Sequence, residues 1–234
     1  MQLFYNPGIT IHNDTFVFDK EESRHIIKAL RKTAGDKLYV TNGLGSLFET
    51  EITIASDSKT TVRILSEEIG KRPPYHLHLA VAPTKMNERY EWFLEKATEI
   101  GVSEITPIIC ERSERTQIKI ERFEKIVIAA MKQSNQYFLP KLNGAKTFTE
   151  FTKAANNAQK FIAHCEETDK RSLKNELTKG ADVTILIGPE GDFTEKEIKL
   201  ALENSFIPVS LGNTRLRTET AAIAACHSVV FTNE

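Results

Sequence analysis

The sequence predicts an α/β protein, mostly a parallel sheet with helices on both faces, preceded by a small β-rich part. After residue 73, apolar strand patterns alternate with helical patterns, as is typical of parallel sheets. Before that point, short β-patterned pieces follow one another between turns. The change falls at Gly70-Lys71-Arg72-Pro73-Pro74, where two prolines remove backbone donors and favour extended geometry. We therefore predict one domain over 1–72 and a second over 73–234.

The first predicted domain combines short strands with one amphipathic helix, at about Glu21–Arg31. Turn-rich segments such as Asn42-Gly43-Leu44-Gly45 separate the strands. The predicted strands are Lys37–Thr41, Ser46–Thr53 and Thr60–Leu65. Such short strands in a small domain predict a barrel or a sandwich.

The second predicted domain alternates longer helices with compact apolar strands. Gly101 and Pro140 mark the ends of two of the helices. The predicted strands are Leu77–Ala82, Ile105–Ile109, Lys160–Ala163, Val183–Ile187 and Phe206–Leu211. The predicted helices are Asn87–Ile100, Glu121–Phe138, Thr194–Asn204 and Thr218–Phe231.

Composition excludes several classes of protein. The 234 residues are 40% apolar and 27% charged, which is typical of a globular protein with a substantial core. We expect a cytoplasmic protein, because neither a signal peptide nor an apolar run of about 18 residues is present. Cys110, Cys165 and Cys226 are widely spaced, so we expect small buried hydrophobic residues and neither disulfides nor a metal site. With a net charge of −1, any RNA must be bound by a local basic patch.

One candidate functional loop is Ile187-Gly188-Pro189-Glu190-Gly191-Asp192-Phe193, between a predicted strand and a helix that starts with the capping box Thr194-x-x-Glu197. It matches neither the phosphate-loop nor the dinucleotide pattern, and its two acidic residues would repel phosphate. Its glycines permit tight turning and close approach of a ligand. The loop therefore suits a neutral or cationic ligand, although the motif alone favours an ordinary strand-to-helix connection.

A second loop favours a binding site over an ordinary connection. It is Leu211-Gly212-Asn213-Thr214-Arg215-Leu216-Arg217. It too leaves a strand and enters a helix, and ligands of open α/β sheets bind beyond the carboxyl ends of strands. We expect Thr218 to cap the helix, with Glu219 in its first turn and an arginine as the counter-ion. Two such loops together predict the walls of one small-molecule pocket.

These motifs resemble a known family. Gly188-Pro189-Glu190-Gly191 with Leu216-Arg217-Thr218-Glu219-Thr220-Ala221 is similar to the paired motif of the 16S ribosomal RNA uracil-N3 methyltransferases, knotted SPOUT enzymes that use S-adenosylmethionine. Further similarity runs through His25–Arg31, Lys85, Glu95–Val102 with Ile105-Thr106-Pro107, and Ala129–Ser134 with Pro140. Asp192 departs from the pattern, since many relatives have a second glycine there.

The resemblance implies a fold, a reaction and partners. The fold would be a PUA-like, RNA-binding β-barrel followed by a SPOUT domain with a trefoil knot, which no periodicity argument would propose. The reaction would transfer a methyl group from S-adenosylmethionine to N3 of a specific uridine in 16S rRNA of the small ribosomal subunit. The protein would be a homodimer with its pocket near the subunit interface.

The predicted site residues follow from this reaction. Uracil N3 needs to lose a proton, so the site needs a base or cationic donors for the developing anion. Arg217, with Arg215 nearby, is the predicted donor, and Glu219 is either the base or the residue that orients Arg217. The predicted cofactor-binding residues are Ile187, Gly188, Pro189, Glu190, Gly191, Leu211, Gly212, Leu216, Arg217 and Thr218.

The predicted RNA-binding residues are Arg24, His25 and Arg31 in the first domain and Lys85, Arg89, Arg112 and Arg115 in the second. No metal is expected, and His76 and His78 are interpreted as structural histidines. Three alternatives stay open: a non-catalytic RNA-binding protein of this fold, a methyltransferase for another RNA nucleotide, and an α/β enzyme with a different nucleotide cofactor. A serine or cysteine hydrolase is disfavoured because no Gly-x-Ser-x-Gly elbow occurs.

Overall fold

The structure, a computed structural model, describes residues 1–166 and 169–234. The chain divides into two compact units. Unit 1 comprises Met1–Arg72 and Met131–Leu139, and unit 2 comprises Pro73–Ala130 and Pro140–Glu234.

Unit 1 is built on a five-stranded sheet of order β1-β3-β4-β5-β2. Its strands are β1 (Leu3–Tyr5), β2 (Thr15–Val17), β3 (Lys37–Thr41), β4 (Ser46–Ile54) and β5 (Thr61–Ile69). The pair β1–β3 is parallel and the other pairs are antiparallel. The strands β1 and β2 were not predicted, because each has only three residues and shows little alternation.

The sheet of unit 1 curls around one apolar core. Along β4, Phe48, Thr50 and Ile52 are buried at every second position, as expected for a strand with one face covered. Phe4, on edge strand β1, and Phe18, just after edge strand β2, pack edge to face with ring centroids 5.5 Å apart. The two edges of the sheet therefore approach one another, which confirms the predicted small β-rich fold.

The helix of unit 1 is shorter than predicted and changes type. The helix α1 (Lys20–Arg24) begins at Asp19, whose side chain accepts a hydrogen bond from the backbone N–H of Glu22 at 2.8 Å. It continues as a π-helix over His25–Ala29. The predicted end at Arg31 is wrong, because Arg31 has a left-handed backbone with φ of 55°.

The segment Met131–Leu139 packs within unit 1. The predicted helix Glu121–Phe138 is wrong beyond Gln133, where α3 (Ile120–Gln133) ends and the chain turns. Backbone hydrogen bonds then join Gly45 N–H to Tyr137 O at 2.9 Å and Leu139 N–H to Gly43 O at 2.8 Å. A Cβ atom at Gly45 would lie 2.4 Å from the Phe138 ring, so this close approach requires glycine.

Unit 2 has a parallel sheet of order β11-β13-β10-β12-β6-β7-β8, with β9 also paired to β7. Its strands are β6 (Leu77–Val81), β7 (Glu104–Ile109), β8 (Lys141–Leu142), β9 (Lys146–Thr147), β10 (Gln159–Ala163), β11 (Arg171–Ser172), β12 (Val183–Ile187) and β13 (Ile207–Ser210). Besides α3, its helices are α2 (Asn87–Ile100), α4 (Phe148–Ala154), α5 (Leu173–Glu176), α6 (Glu195–Glu203) and α7 (Thr218–Asn233).

The core of unit 2 explains the apolar runs of its sequence. All five residues of β12 are buried, since this central strand is covered on both faces. Phe148 and Phe151 of α4 and Ile198 of α6 share a core cluster with the sheet residues Ile162 and Leu186. The helix α7 packs against α2 and contacts β6 and β12. The predicted α/β architecture is thus confirmed, and the trefoil knot stays a prediction.

Over the residues described, no helix has both the length and the apolar character that crossing a membrane demands.

Candidate active site

A pocket of about 390 Å³ opens at the carboxyl ends of β10 and β12, in front of α7. Both predicted loops contribute to it, together with the end of β10 and one residue of α2. Its lining residues are Arg89, Ala163, Cys165, Ile187, Gly188, Pro189, Glu190, Asp192, Arg215, Leu216, Arg217, Thr218 and Ala221. The prediction that the two loops form the walls of one pocket is therefore confirmed.

The loop after β12 is shaped by Asp192. Its φ of 62° is left-handed, a conformation that aspartate tolerates better than most residues. Its carboxylate accepts hydrogen bonds from the backbone N–H of Cys165 at 2.7 Å and of Phe193 at 2.9 Å. Asp192 thereby ties the loop after β12 to the loop after β10.

The glycines of this loop serve close packing. A Cβ atom at Gly188 would lie 3.1 Å from the Phe193 ring, and one at Gly191 would lie 3.2 Å from Cβ of Arg112. The Arg112 guanidinium donates to the carbonyl oxygens of Gly191 at 3.0 Å and Phe193 at 3.4 Å. Arg112, a predicted RNA-binding residue, is thus engaged in supporting the pocket loop.

Two glutamates anchor the same region. Glu190 accepts a hydrogen bond from the backbone N–H of Lys85 at 2.9 Å, which holds the loop after β6 against the pocket. The predicted capping box of α6 is confirmed, with Thr194 and Glu197 hydrogen-bonded reciprocally. Glu197 also accepts from the backbone N–H of Glu111 at 2.9 Å. Hydrogen bonds therefore tie the loop after β12 and the start of α6 to the loops after β6 and β7.

The helix α7 begins at Thr218 as predicted, but its cap differs from the one expected. Arg217 occupies the cap position, and Thr218 is the first helical residue. The Thr218 hydroxyl instead donates to the carbonyl oxygen of Gly188 at 3.0 Å, so it joins the two pocket loops. The prediction of Thr218 as the helix cap was wrong because this carbonyl takes the hydroxyl that a cap would use.

Glu219 has Arg89 of α2 at ion-pair distance, with Nε and Oε1 3.8 Å apart. Glu219 is 8% exposed, and its Oε2 atom has no hydrogen-bond partner among the described residues. The arginine expected as its counter-ion belonged to the loop before α7, whereas the structure gives Arg89. Arg89 was predicted only as an RNA-binding residue.

The structure separates the predicted cofactor residues into two groups. Ile187, Gly188, Pro189, Glu190, Leu216, Arg217 and Thr218 line the pocket. Four predicted site residues are not among the described residues that line the pocket: Gly191, Leu211, Gly212 and the predicted catalytic Glu219. Sequence reasoning missed Ala163 and Cys165, because only the sheet order reveals that β10 lies between β12 and β13.

Cys165 corrects one expectation. It is exposed and lines the pocket, whereas Cys110 and Cys226 are buried as expected. Partial burial and the nearby Asp192 carboxylate raise the pKa of its thiol, so the protonated form predominates at neutral pH. Cys165 is therefore part of the wall rather than a nucleophile.

The histidines on β6 have partners. His78 Nε2 lies 2.7 Å from Thr106 Oγ1, and His76 Nε2 lies 3.4 Å from a Glu104 carboxylate oxygen. Burial lowers the pKa of His78 to about 4, so this imidazole is neutral at pH 7. Within the part of the chain that is described, no three histidine, cysteine or carboxylate residues are grouped to hold a metal ion.

The remaining predicted RNA-binding residues lie in two places. In unit 1, Arg24 and His25 are exposed and line a shallow pocket of about 540 Å³ with Lys20 and Lys28, and Arg31 is exposed. In unit 2, Lys85 pairs with Glu114 at 2.8 Å, and Arg115 donates to the carbonyl of Gln117 at 3.1 Å. In unit 1, too, Lys28 pairs with Asp57 at 3.4 Å, and His25 lies 3.9 Å from a Glu22 carboxylate oxygen.

Comparison with known proteins assigns the family. A family model described as an RNA methyltransferase domain matches residues 71–230, and one described as an RNA methyltransferase PUA domain matches residues 18–65. Ribosomal RNA small subunit methyltransferase E of Buchnera aphidicola is 32% identical, over 94% of this chain and 90% of its own length. The chain belongs to the ribosomal RNA small subunit methyltransferase E family.

Solved structures agree with this family. A probable rRNA-methyltransferase from Porphyromonas gingivalis has a TM-score of 0.90 and 41% identity, covering 97% of this chain and 95% of its own. Ribosomal RNA small subunit methyltransferase E from Neisseria gonorrhoeae, bound to S-adenosyl methionine, has a TM-score of 0.85 and 26% identity over 97% of this chain and 95% of its own. The resemblance in the two loop motifs therefore reflects membership of the ribosomal RNA small subunit methyltransferase E family.

Proposed function

We propose that this chain transfers a methyl group from S-adenosylmethionine to N3 of a specific uridine in 16S rRNA of the small ribosomal subunit. Family membership supports RNA methylation with this cofactor. The observation that carries the proposal is the pocket in which both loop motifs meet, joined by the Thr218–Gly188 hydrogen bond.

The pocket is large enough for S-adenosylmethionine and presents both charged and apolar groups. Its volume of about 390 Å³ lies within the ordinary range for small-molecule sites. Glu190 offers a carboxylate to the cationic end of the cofactor, and Pro189 and Leu216 offer apolar surface. When bound, S-adenosylmethionine supplies a methyl group on a positively charged sulfur, which becomes a neutral thioether once the methyl group has moved to N3.

The chain's own task is then to prepare the acceptor. Removing the N3 proton leaves negative charge on the uracil ring, and fixed cations stabilise such charge as it develops. Arg217 lines the pocket at the start of α7, and we assign it this role, with Arg215 beside it. Because N3 lies on the Watson–Crick edge, the target uridine has to be unpaired or flipped out.

We also propose that the two predicted domains have different functions. Residues 1–72 form a PUA-like RNA-binding domain, and residues 73–234 form the methyltransferase domain. The match of the PUA model to residues 18–65 supports the first assignment. The cations assigned to RNA contact are Arg24, His25 and Arg31 with Lys85, Arg89, Arg112 and Arg115.

We further propose a homodimer in the cytoplasm. The supporting observation is α7, where Thr220, Ala224, His227 and Phe231 recur at helical spacing along a partly exposed face. Phe231 is 68% exposed, a poor state for a large apolar side chain in a monomer. Replacing it by glutamate should shift the protein to half the mass in sedimentation, whereas Phe231→Leu should not. A dimer mass for both variants would contradict an interface at this face of α7, and a monomer mass for the wild-type protein would contradict the dimer.

The methylation proposal is tested by tritiated methyl transfer into small ribosomal subunits from cells that lack the enzyme. Nucleoside analysis of the labelled RNA should give N3-methyluridine and no other labelled product. Another methylated nucleoside would reject the specific reaction and favour the alternative of a different target nucleotide. Cofactor binding without any transfer would favour a non-catalytic RNA-binding protein.

A further inference from the structure

Arg89 lines the same pocket as Arg217. It is the third residue of α2, far in sequence from both loop motifs. Its side chain is 33% exposed, so most of it is covered by neighbouring residues. The pocket therefore receives fixed positive charge from two separate elements, α2 and the start of α7.

Glu219 is the ion-pair partner of Arg89. Its side chain is 11% exposed and lies outside the described pocket lining. A buried carboxylate is costly without a counter-ion, so Glu219 favours positions of the Arg89 guanidinium close to it. Glu219 also occupies the first turn of α7, where the helix dipole favours a negative charge. The pair is anchored by two packed helices, α2 and α7.

Two cations in the pocket can stabilise the negative charge that forms on the uracil ring. When N3 loses its proton, the electron pair that remains is shared with the O2 and O4 carbonyl oxygens, which flank N3. A single arginine reaches one side of this system, whereas two arginines on different elements can donate to both. Preorganised donors aimed at developing charge are a large source of rate enhancement.

We propose that Arg89 is a second cationic donor to the acceptor uracil, and that Glu219 is its positioning residue rather than the base. This inference rests on the proposed function. Arg89 and Arg217 bind the two carbonyl oxygens of the uracil, the N3 proton passes to a hydroxide ion of the solvent to give water, and the electron pair stays on the ring. Glu219 never meets the substrate and acts only through Arg89.

A double-mutant cycle separates positioning from base catalysis. If Glu219 acts through Arg89, Glu219→Gln alone should lower kcat about tenfold, and Arg89→Ala alone about a hundredfold. The double variant should then be no slower than Arg89→Ala. If Glu219 is the base, the two effects should multiply in the double variant, which would overturn the proposal. Arg89→Lys should recover part of the activity lost in Arg89→Ala.

The pH profile and cofactor affinity provide readouts that a purely structural role would not produce. With weaker stabilisation of the anion, the rise of kcat with pH should move to higher pH in Glu219→Gln, while the Kd for S-adenosylmethionine changes less than about twofold. An equal loss of kcat and cofactor affinity, with an unchanged pH profile, would show pocket collapse and overturn the proposal.

A matched control lies on the same helix. Glu91 of α2 pairs with Arg122 at 2.7 Å, outside the pocket, so Glu91→Gln should leave kcat and its pH profile unchanged. Arg89→Ala leaves the buried Glu219 carboxylate without its ion-pair partner, whereas the double variant has a neutral amide in its place. Thermal unfolding of both variants therefore identifies misfolding. If the wild-type protein makes no N3-methyluridine, the proposed function fails; if it does and the cycle is multiplicative, only this inference fails.

Discussion

The parallel sheet of unit 2 carries polar groups at both ends, and the two ends differ in how well these groups are satisfied. At the amino ends of β6, β7 and β8, Glu104 accepts from Asn143 Nδ2 at 2.6 Å and from Lys141 Nζ at 3.0 Å, with His76 also near. At the carboxyl ends, Glu219 has one ion-pair partner at 3.8 Å and one carboxylate oxygen without a described partner. Their side chains are almost equally covered, 14% exposed for Glu104 and 11% for Glu219.

Burial of charge therefore does not by itself mark a functional site. Burial opposes ionisation of Glu104, yet hydrogen bonds from Asn143 and Lys141 and the His78 nearby hold the pKa of this carboxyl below its ordinary value. Each polar group of the amino-end cluster (His76, His78, Glu104, Lys141 and Asn143) has a protein partner. What distinguishes the pocket is unused hydrogen-bonding capacity beside a cavity large enough for a ligand.

The largest effect that tests this contrast is expected from Arg217→Ala. Loss of one cation aimed at developing charge should lower kcat by about 100- to 1,000-fold. Affinity for S-adenosylmethionine, measured by calorimetry, should stay nearly intact because the other pocket walls remain. Lys141→Ala, which removes a cation from the amino-end cluster, serves as the control and should leave kcat unchanged. Equal loss of turnover and cofactor affinity would refute the catalytic assignment of Arg217.

The sequence predicted the parts of this comparison that depend on local pattern. Strand Val183–Ile187, helix Asn87–Ile100 and its end at Gly101 agree with the structure to the residue, because apolar runs and a glycine cap are local signals. The pocket loops were predicted from their glycines and their place between a strand and a helix, and the family resemblance supplied the cofactor and the reaction. Arg89 was assigned to RNA because its approach to Glu219 depends on how α2 packs against α7, which no spacing along the chain encodes.

The same limit explains the misplaced helix cap. A threonine before a helical pattern favours a cap, and only the carbonyl of Gly188, thirty residues away, draws the Thr218 hydroxyl elsewhere. Asp192 was noted as a departure from the family's glycine, and its left-handed backbone supplies the physical reason why glycine suits that position. The hydrogen bond from Cys165 N–H to its carboxylate depends on the sheet order and could not be predicted.

A smaller effect is expected from substitutions at Asp192. Asp192→Gly keeps the left-handed backbone but removes the acceptor of the Cys165 N–H, which frees the pocket loop. We expect affinity for S-adenosylmethionine to fall about tenfold, the scale of one hydrogen bond to a charged group. Asp192→Asn retains an oxygen acceptor and tolerance of positive φ, so most of the affinity should remain. Equal affinities of the two variants in a binding titration would show that the tie between the loops is irrelevant.

The smallest effect concerns the amino-end cluster and appears in stability rather than activity. His78 has a pKa of about 4 when folded and an ordinary value of 6.5. Between these values the unfolded chain binds more protons, so stability falls as pH decreases from 6.5 towards 4 and is fully present above 6.5. From pH 7 to pH 5.5 this should cost about 1 kcal/mol in urea unfolding.

The variant His78→Gln isolates this contribution, because an amide can still hydrogen-bond to Thr106 but does not titrate. Its free energy of unfolding should change less between pH 7 and pH 5.5 than that of the wild-type protein. His12→Gln, at an exposed histidine, should retain the wild-type dependence. Because the pKa of the Glu104 carboxyl is lowered, its protonation reduces the stability only at lower pH. The change between pH 7 and pH 5.5 therefore does not come from Glu104. If His78→Gln and the wild-type protein respond to pH identically, the amino-end cluster does not hold His78 neutral, and the contrast between the two ends of the sheet weakens.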